Sequence, residues 1–294
     1  MRISVGGRVG RSRPRLARMS TFMSVTEVNQ AVHEGKGYTV LASIWEKDSE
    51  GGYLSYRSQH IPTAQFCDPS AALTGLPGSA GGRNPLPALS DVQRSLEFWG
   101  VRNGRPVIVY DQGHGLFAAR AWWILRWAGL TDVRIMDGGL AAWEQAGFEV
   151  VGGPGNISME SNAVAVEGSM RVATLDDVKK HTGPLVDTRQ PNRYAGKRER
   201  FDLKAGHIPG AVNVPVEELF NEDRTVKTPS EILERFAAEG INSAQNMIIY
   251  SGSGNHSALA IAAMESAGLS GAAHYVGGWS QWSADKHNPV ERSE

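Results

Sequence analysis

Residues 246–257 read Asn-Met-Ile-Ile-Tyr-Ser-Gly-Ser-Gly-Asn-His-Ser. The apolar run Asn246–Tyr250 is typical of a buried strand, and the alanine-rich segment His256–Ala267 predicts a helix. Two glycines between them permit a tight turn. A strand that enters a helix through such a loop belongs to a parallel sheet, whose ligands bind beyond the carboxyl ends of the strands.

This unit occurs twice in the chain. Two offsets, 139 and 140 residues, relate Ala128-Gly129-Leu130 to Ala267-Gly268-Leu269 and Val107-Ile108-Val109-Tyr110 to Met247-Ile248-Ile249-Tyr250. A third pair, His60-Ile61-Pro62 and His207-Ile208-Pro209, keeps the same order at an offset of 147. Ordered matches at a near-constant offset indicate duplication of a whole domain.

Each half alternates strand and helix patterns, which predicts an α/β fold with a parallel sheet flanked by helices in each domain. The predicted strands are 38–44, 106–110 and 132–136 in the first half, and 184–187, 246–250 and 272–276 in the second. The predicted helices are 90–100, with Ser90 as N-cap, 118–128, 230–239 and 256–267. We predict domains at 22–150 and 165–291, joined by the glycine- and proline-containing linker 151–164.

Composition excludes several function classes. The chain has 30 basic and 31 acidic residues, so it does not resemble a nucleic-acid-binding protein, and no stretch has the length of a membrane span. Six arginines precede Met19 and no acid precedes Glu27, so we expect a basic unstructured arm or upstream extension at 1–21. The single Cys67 excludes an internal disulfide and fits a cytoplasmic location.

The loop after the strand 246–250 predicts an anion site. Gly252 and Gly254 let successive backbone N–H groups turn inward, and the following helix adds the positive end of its dipole. A thiol at the start of such a loop would have a lowered pKa. A tight structural turn without a ligand is the alternative.

The motifs together resemble the tandem rhodanese sulfurtransferases. They are the duplication itself, the segments 193–196 (Arg-Tyr-Ala-Gly), 206–211 (Gly-His-Ile-Pro-Gly-Ala) and 277–279 (Gly-Gly-Trp), and the first-domain segment 82–87 (Gly-Arg-Asn-Pro-Leu-Pro). The resemblance covers the chain after residue 22. It implies transfer of sulfane sulfur from thiosulfate or 3-mercaptopyruvate to a thiol or cyanide acceptor, through a persulfide on a loop cysteine of the second domain.

Ser251 stands at the position of that cysteine, followed by the matching Gly252, Ser253 and Gly254. A serine hydroxyl cannot hold sulfane sulfur as a persulfide, so we expect this chain to be inactive in that chemistry. Two explanations stay open: an engineered replacement of cysteine, or a native serine in an inactive homologue that serves as an anion-binding or regulatory module.

The resemblance also implies the remaining site residues. Arg193 is expected to hold the anionic donor, because a guanidinium offers a planar fork to a carboxylate or sulfonate. Asn255 and His256 complete the predicted binding loop, with His256 neutral at the helix start. Asp187 and His207 are expected to support the loop. Neither a metal nor an organic cofactor is implied.

Two competing interpretations are weaker. Residues 113–118 fit a loose dinucleotide fingerprint, but two residues intervene after the strand and the segment duplicates 251–257. Cys67 is interpreted as a buried structural side chain rather than a displaced sulfur carrier.

Overall fold

The computed structural model describes residues 20–35, 37–47, 50–156, 158 and 160–293. Of the predicted basic arm, residues 1–19 lie outside this part of the chain. In the part that is described, no helix has the length and apolarity needed to cross a lipid bilayer.

The first domain is built on a parallel sheet, which has five strands in the described residues, in the order β1-β5-β4-β2-β3. The strands are β1 (Phe22–Met23), β2 (Thr39–Ser43), β3 (Gln65–Cys67), β4 (Val107–Tyr110) and β5 (Val133–Met136). The helices are α1 (Val25–His33), α2 (Gly51–Ser58), α3 (Pro69–Ala72), α4 (Leu89–Phe98), α5 (Leu116–Trp127) and α6 (Gly139–Gln145).

The second domain repeats this plan. Its described strands form a four-stranded parallel sheet in the order β7-β6-β8-β9. They are β6 (Leu185–Asp187), β7 (Val212–Asn213), β8 (Ile248–Tyr250) and β9 (Ala273–Tyr275). The helices are α7 (Leu175–Lys180), α8 (Pro191–Tyr194), α9 (Pro229–Ala237), α10 (Asn255–Ser266) and α11 (Gly278–Ala284), with a 3₁₀ turn at Val216–Leu219.

The two sheets share one strand order, with β3-β2-β4-β5 matching β7-β6-β8-β9. The predicted fold of two duplicated parallel-sheet domains is therefore confirmed. The domain boundaries at 150 and 165 stay predictions.

Helix α4 corrects one detail of the sequence analysis. It begins at Leu89 after the N-cap Ala88, and not after Ser90. The carbonyl of Ala88 already accepts the N–H of Val92 at 3.2 Å, which places Ser90 inside the first turn.

The domains meet along α5 and α10, and one hydrophobic core extends through both. The rings of Trp122 and Trp123 are fully buried in it together with Ile261. Trp123 also packs edge-on against His274 of the second domain, with ring centroids 4.7 Å apart. The carboxyl ends of β4 and β8 both lead into this interface, which brings their loops near each other.

Candidate anion-binding active site

The candidate site is the loop between β8 and α10, residues 251–256, which we call the cradle. The carbonyls of Ser251 and Gly252 accept the N–H groups of Trp279 and Ser280, at 2.8 and 2.9 Å. These bonds turn the two carbonyls toward the start of α11. In the described part of the chain the N–H groups of Gly252 and Ser253 donate to no backbone carbonyl, so they are free to bind an anion.

Two glycines make this geometry possible. Gly254 caps α10 in the left-handed region at φ 92°, and Gly278 has φ 55°. A methyl group on Gly278 would lie 2.3 Å from the carbonyl oxygen of Ser251. Only glycine at 278 therefore lets the loop pack on the start of α11.

Ser251 is fully buried at the floor of the cradle. Its Oγ accepts the N–H of Gly254 at 3.0 Å and lies 3.1 Å from Oγ of Ser257. Ser257 in turn lies 2.7 Å from Nε2 of His274 on β9. A continuous hydrogen-bonded chain thus connects Ser251 to a buried imidazole.

That imidazole is a poor base. Burial, and then the nearby positive charge of Arg120, hold the pKa of His274 well below its usual range. A proton taken from Ser251 would create a second buried cation beside the guanidinium of Arg120. The hydroxyl of Ser251 therefore stays protonated, and the arrangement does not activate it as a nucleophile.

The duplicate loop in the first domain shows what this type of turn binds. Asp111 follows β4 as Ser251 follows β8, and its carboxylate accepts four backbone N–H groups, from Gly113, Gly115, Phe117 and Ala118, at 2.9 to 3.4 Å. The bond from Gly115 matches the bond from Gly254 to Ser251, since each glycine caps its helix. In the first domain the anion belongs to the chain, whereas in the second a neutral hydroxyl replaces it.

Two guanidinium groups from different domains lie over Gly252. A methyl group on Gly252 would be 3.1 Å from Nη2 of Arg83 and 3.3 Å from Nη1 of Arg193. Both arginines also contact the exposed ring of Phe201, with centroid distances of 5.7 and 5.4 Å. The predicted donor residue Arg193 is therefore beside the cradle, accompanied by a first-domain arginine that the sequence analysis did not assign to the site.

Acidic partners hold these arginines in place. Nη2 of Arg193 donates to Glu199 at 2.9 Å and to Asp202 at 3.2 Å, and Arg83 forms an ion pair with Asp202. Although burial raises the pKa of Glu199, hydrogen bonds from the Phe201 N–H and from Arg193 lower it below its usual value, so this carboxyl is ionised. The pairing occupies Nη2 of Arg193 and leaves Nη1 directed at Gly252.

The first-domain segment 83–84 reaches onto the cradle. Nδ2 of Asn84 donates to Oγ of Ser253 at 3.0 Å, and the N–H of Arg83 donates to Oγ of Ser280 at 3.1 Å. The buried Arg120 of α5 donates to the carbonyl of Asn84 at 3.1 Å and fixes the segment from below. The site is thus built by both domains.

Asp187 and His207, the two predicted supporting residues, lie outside the cradle. Asp187 is buried and forms an ion pair with Arg189 at 2.6 Å, and the guanidinium of Arg189 lies over the ring of Trp279 at 4.8 Å. His207 stacks on the ring of Tyr194, with centroids 3.7 Å apart. Both residues therefore contact segments that carry the site, namely α11 and α8.

The last two predicted residues open α10. Asn255 and His256 are its first two residues, both partly buried. Burial is the main cause that lowers the pKa of His256, so its imidazole is neutral near pH 7 and does not oppose the helix dipole.

Cys67 lies at the end of β3 in the first-domain part of the core. It is 1% exposed, and burial raises the pKa of its thiol. Thiol chemistry needs an accessible thiolate, which this environment disfavours.

The sequence analysis missed five residues of the site: Arg83, Asn84, Arg120, Ser257 and His274. A visible signal existed only for the first two, which lie in the segment 82–87 already noted as family-like. The others are placed by packing across the interface and by β9. Among the described residues, no group of three or more His, Cys, Asp or Glu side chains is gathered as a set of metal ligands.

Comparison with known proteins agrees with the fold and the duplication. The rhodanese-like domain model matches residues 45–146 and 172–285. A putative thiosulfate sulfurtransferase, SseB of Mycobacterium tuberculosis, is 33% identical over 282 residues, which is 94% of this chain and 98% of that protein.

Two further relatives carry the name of a different sulfur donor. A probable 3-mercaptopyruvate sulfurtransferase of Pseudomonas aeruginosa is 35% identical over 255 residues, which cover 83% of this chain and 88% of the relative. The crystal structure of SseA from Escherichia coli, described as a 3-mercaptopyruvate sulfotransferase, superposes with a TM-score of 0.77 at 27% identity. It covers 89% of this chain and all of that one.

Proposed function

This chain belongs to the rhodanese-like family, as a tandem-domain sulfurtransferase homologue, and we propose that its cradle binds the small anionic sulfur donor of that chemistry without taking up the sulfur. The donor class is thiosulfate or 3-mercaptopyruvate, after the names of the relatives. A thiol or cyanide would be the acceptor in a form of the protein that carries cysteine at 251.

One observation carries the proposal, namely the carboxylate of Asp111 in the duplicate loop. It accepts backbone N–H groups at the start of α5, and the equivalent groups at the start of α10 have no carboxylate from the chain. Ser251 is neutral and accepts a hydrogen bond from Gly254 alone. An external anion would fill the role that Asp111 fills in the first domain.

Arg193 and Arg83 supply the charge that an external anion requires. Nη1 of Arg193 faces Gly252, while Glu199 and Asp202 hold the rest of the guanidinium in a fixed orientation. A fixed fork loses little side-chain entropy on binding a carboxylate or sulfonate.

Ser251 supports the second half of the proposal. Sulfur transfer by this family depends, through the resemblance, on a cysteine that carries a persulfide, and the hydroxyl of Ser251 has neither that chemistry nor an effective base. We therefore assign the chain as given a donor-binding role, such as a regulatory module that senses the anion.

The test is calorimetric titration of sulfite, and then thiosulfate, into the protein and into Arg193→Ala. Loss of one charge-assisted contact should weaken binding about tenfold to hundredfold. Arg193→Lys should recover part of the affinity, because an ammonium lacks the planar fork.

Arg198→Ala is the matched control, since Arg198 is an exposed arginine close in sequence. Equal affinity in the Arg193 and Arg198 variants would remove Arg193 from the site. Failure of the unmodified protein to bind either anion would overturn the proposal and leave a structural turn.

A further inference from the structure

A cleft of about 420 Å³ lies at the domain interface, beside the cradle, and its lining includes Trp45, Arg83, Asn84, Phe117, Arg120 and Asn255. We call it the interdomain cleft. Its volume is within the range of about 300–1,000 Å³ that small-molecule sites occupy. Arg193 is not among the residues that line it.

Arg120 is the unusual feature of this cleft. The side chain is 1% exposed, and Nε and Nη2 donate to the carbonyls of Leu73, Asn84 and Pro85 at 2.9 to 3.1 Å. Nη1 is buried and has no partner among the described residues. A buried donor without an acceptor is costly and calls for an explanation.

The position of Nη1 points to an anion. A methyl group on Gly254 would lie 3.0 Å from it, which places Nη1 at the start of the twelve-residue helix α10. Burial lowers the pKa of Arg120 to about 10, which still leaves the guanidinium charged at pH 7. Within the described part of the chain, two arginines and no carboxylate line the cleft.

The opposite wall is flat and aromatic. The rings of Trp45 and Phe117 lie 5.6 Å apart with an interplanar angle of 35°. Trp45 is 43% exposed, which is high for an indole. Aromatic faces of this kind bind other flat rings through offset or tilted stacking.

We propose that the interdomain cleft is a second ligand site, which binds a small aromatic carboxylate. The ring would pack on Trp45 and Phe117, and the carboxylate would accept from Nη1 of Arg120 and from the first N–H groups of α10. This goes beyond the proposed donor site, because the ligand needs no sulfur and its binding does not involve Arg193.

The experiment is calorimetric titration with benzoate, beside two matched compounds. Benzamide has the ring and shape but no charge, and acetate has the charge but no ring. Benzoate should bind at least tenfold more tightly than either compound. Equal affinity for benzoate and benzamide would contradict the charge at Arg120, and equal affinity for benzoate and acetate would contradict the aromatic wall.

Variants then locate the site. Trp45→Ala should weaken benzoate binding at least fivefold, while Trp45→Phe should retain most of it. Arg120→Lys should weaken it at least tenfold. If that variant does not fold because three carbonyls lose their donor, the Trp45 pair still decides, and an unchanged affinity in Trp45→Ala would overturn the proposal.

Arg193→Ala separates this inference from the proposed function. It should weaken sulfite binding and leave benzoate binding unchanged. Sulfite binding without benzoate binding refutes only the interdomain cleft, and benzoate binding without sulfite binding refutes only the donor cradle.

Discussion

Ser251→Asp should close the cradle from within. The first domain provides the template, since Asp111 accepts the N–H groups of its helix N-cap and first turn at 3.0 to 3.4 Å. The loop of the second domain is one residue shorter, but Oγ of Ser251 already accepts the matching N–H of Gly254 at 3.0 Å. A carboxylate at 251 is therefore expected to accept the N–H groups that begin α10.

The expected magnitude follows from charge. Two like charges about 4 Å apart repel by about 4 kcal/mol at an effective dielectric constant of about 20, which corresponds to nearly a thousandfold in affinity. Salt and the neighbouring arginines reduce this, so we expect sulfite to bind at least a hundredfold more weakly. The same carboxylate should raise the free energy of unfolding by about 1 kcal/mol, as an anion at a helix N-terminus does.

Ser251→Asn is the control, because it has the size of aspartate without the charge. Calorimetry with sulfite and urea denaturation should be run on both variants and on the parent protein. Aspartate should abolish binding and stabilise the fold relative to asparagine. If the two variants bind sulfite equally well, the cradle is not the anion site.

Three further predictions concern the loop and its supports. Ser251→Cys should give a thiol whose alkylation rate has a pH midpoint below about 8.5, with the buried Cys67 unreactive as internal control; a midpoint at or above that value would contradict the anion cradle. Asp187→Asn should lower the free energy of unfolding in urea by about 3 kcal/mol or more, because Arg189 would be a buried charge without its main partner; a loss below 1 kcal/mol would contradict this. Burial, then the charge of Asp223, raise the pKa of Asp137 to about 6 from 3.8, so the folded state binds the extra proton and stability should fall as pH rises from about 4 to about 6. Asp137→Asn should remove that loss and be the more stable protein at pH 7.5, as compared by urea denaturation at pH 5 and 7.5; a parent protein equally stable at both values would contradict the raised pKa.

Much of the architecture is predictable because it depends on local pattern. Apolar runs that end in glycine-rich loops located β4 and β8, and the repeat located their partners. The strands β1, β3 and β7 have only two or three residues, too few for a periodic signal.

The site was only partly predictable for a different reason. Arg193 and the loop 251–256 are contiguous with recognisable motifs, whereas Arg120 and His274 reach the loop through packing between distant segments. Asp111 was open to sequence reasoning, because the offset of 140 residues places it opposite Ser251. Comparing the two loops would have revealed the carboxylate in one and its absence in the other.

The segment 83–84 of the first domain donates to the second through Asn84 to Ser253 and pairs Arg83 with Asp202. An anion over Gly252 would add a bond between both halves, so ligand occupancy and domain docking are thermodynamically linked. A ligand at one hundred times its Kd stabilises the bound state by about 2.7 kcal/mol, and here that energy would act on the interface. The protein should consequently unfold as one cooperative unit when the anion is present, and its two domains should separate most readily in the anion's absence.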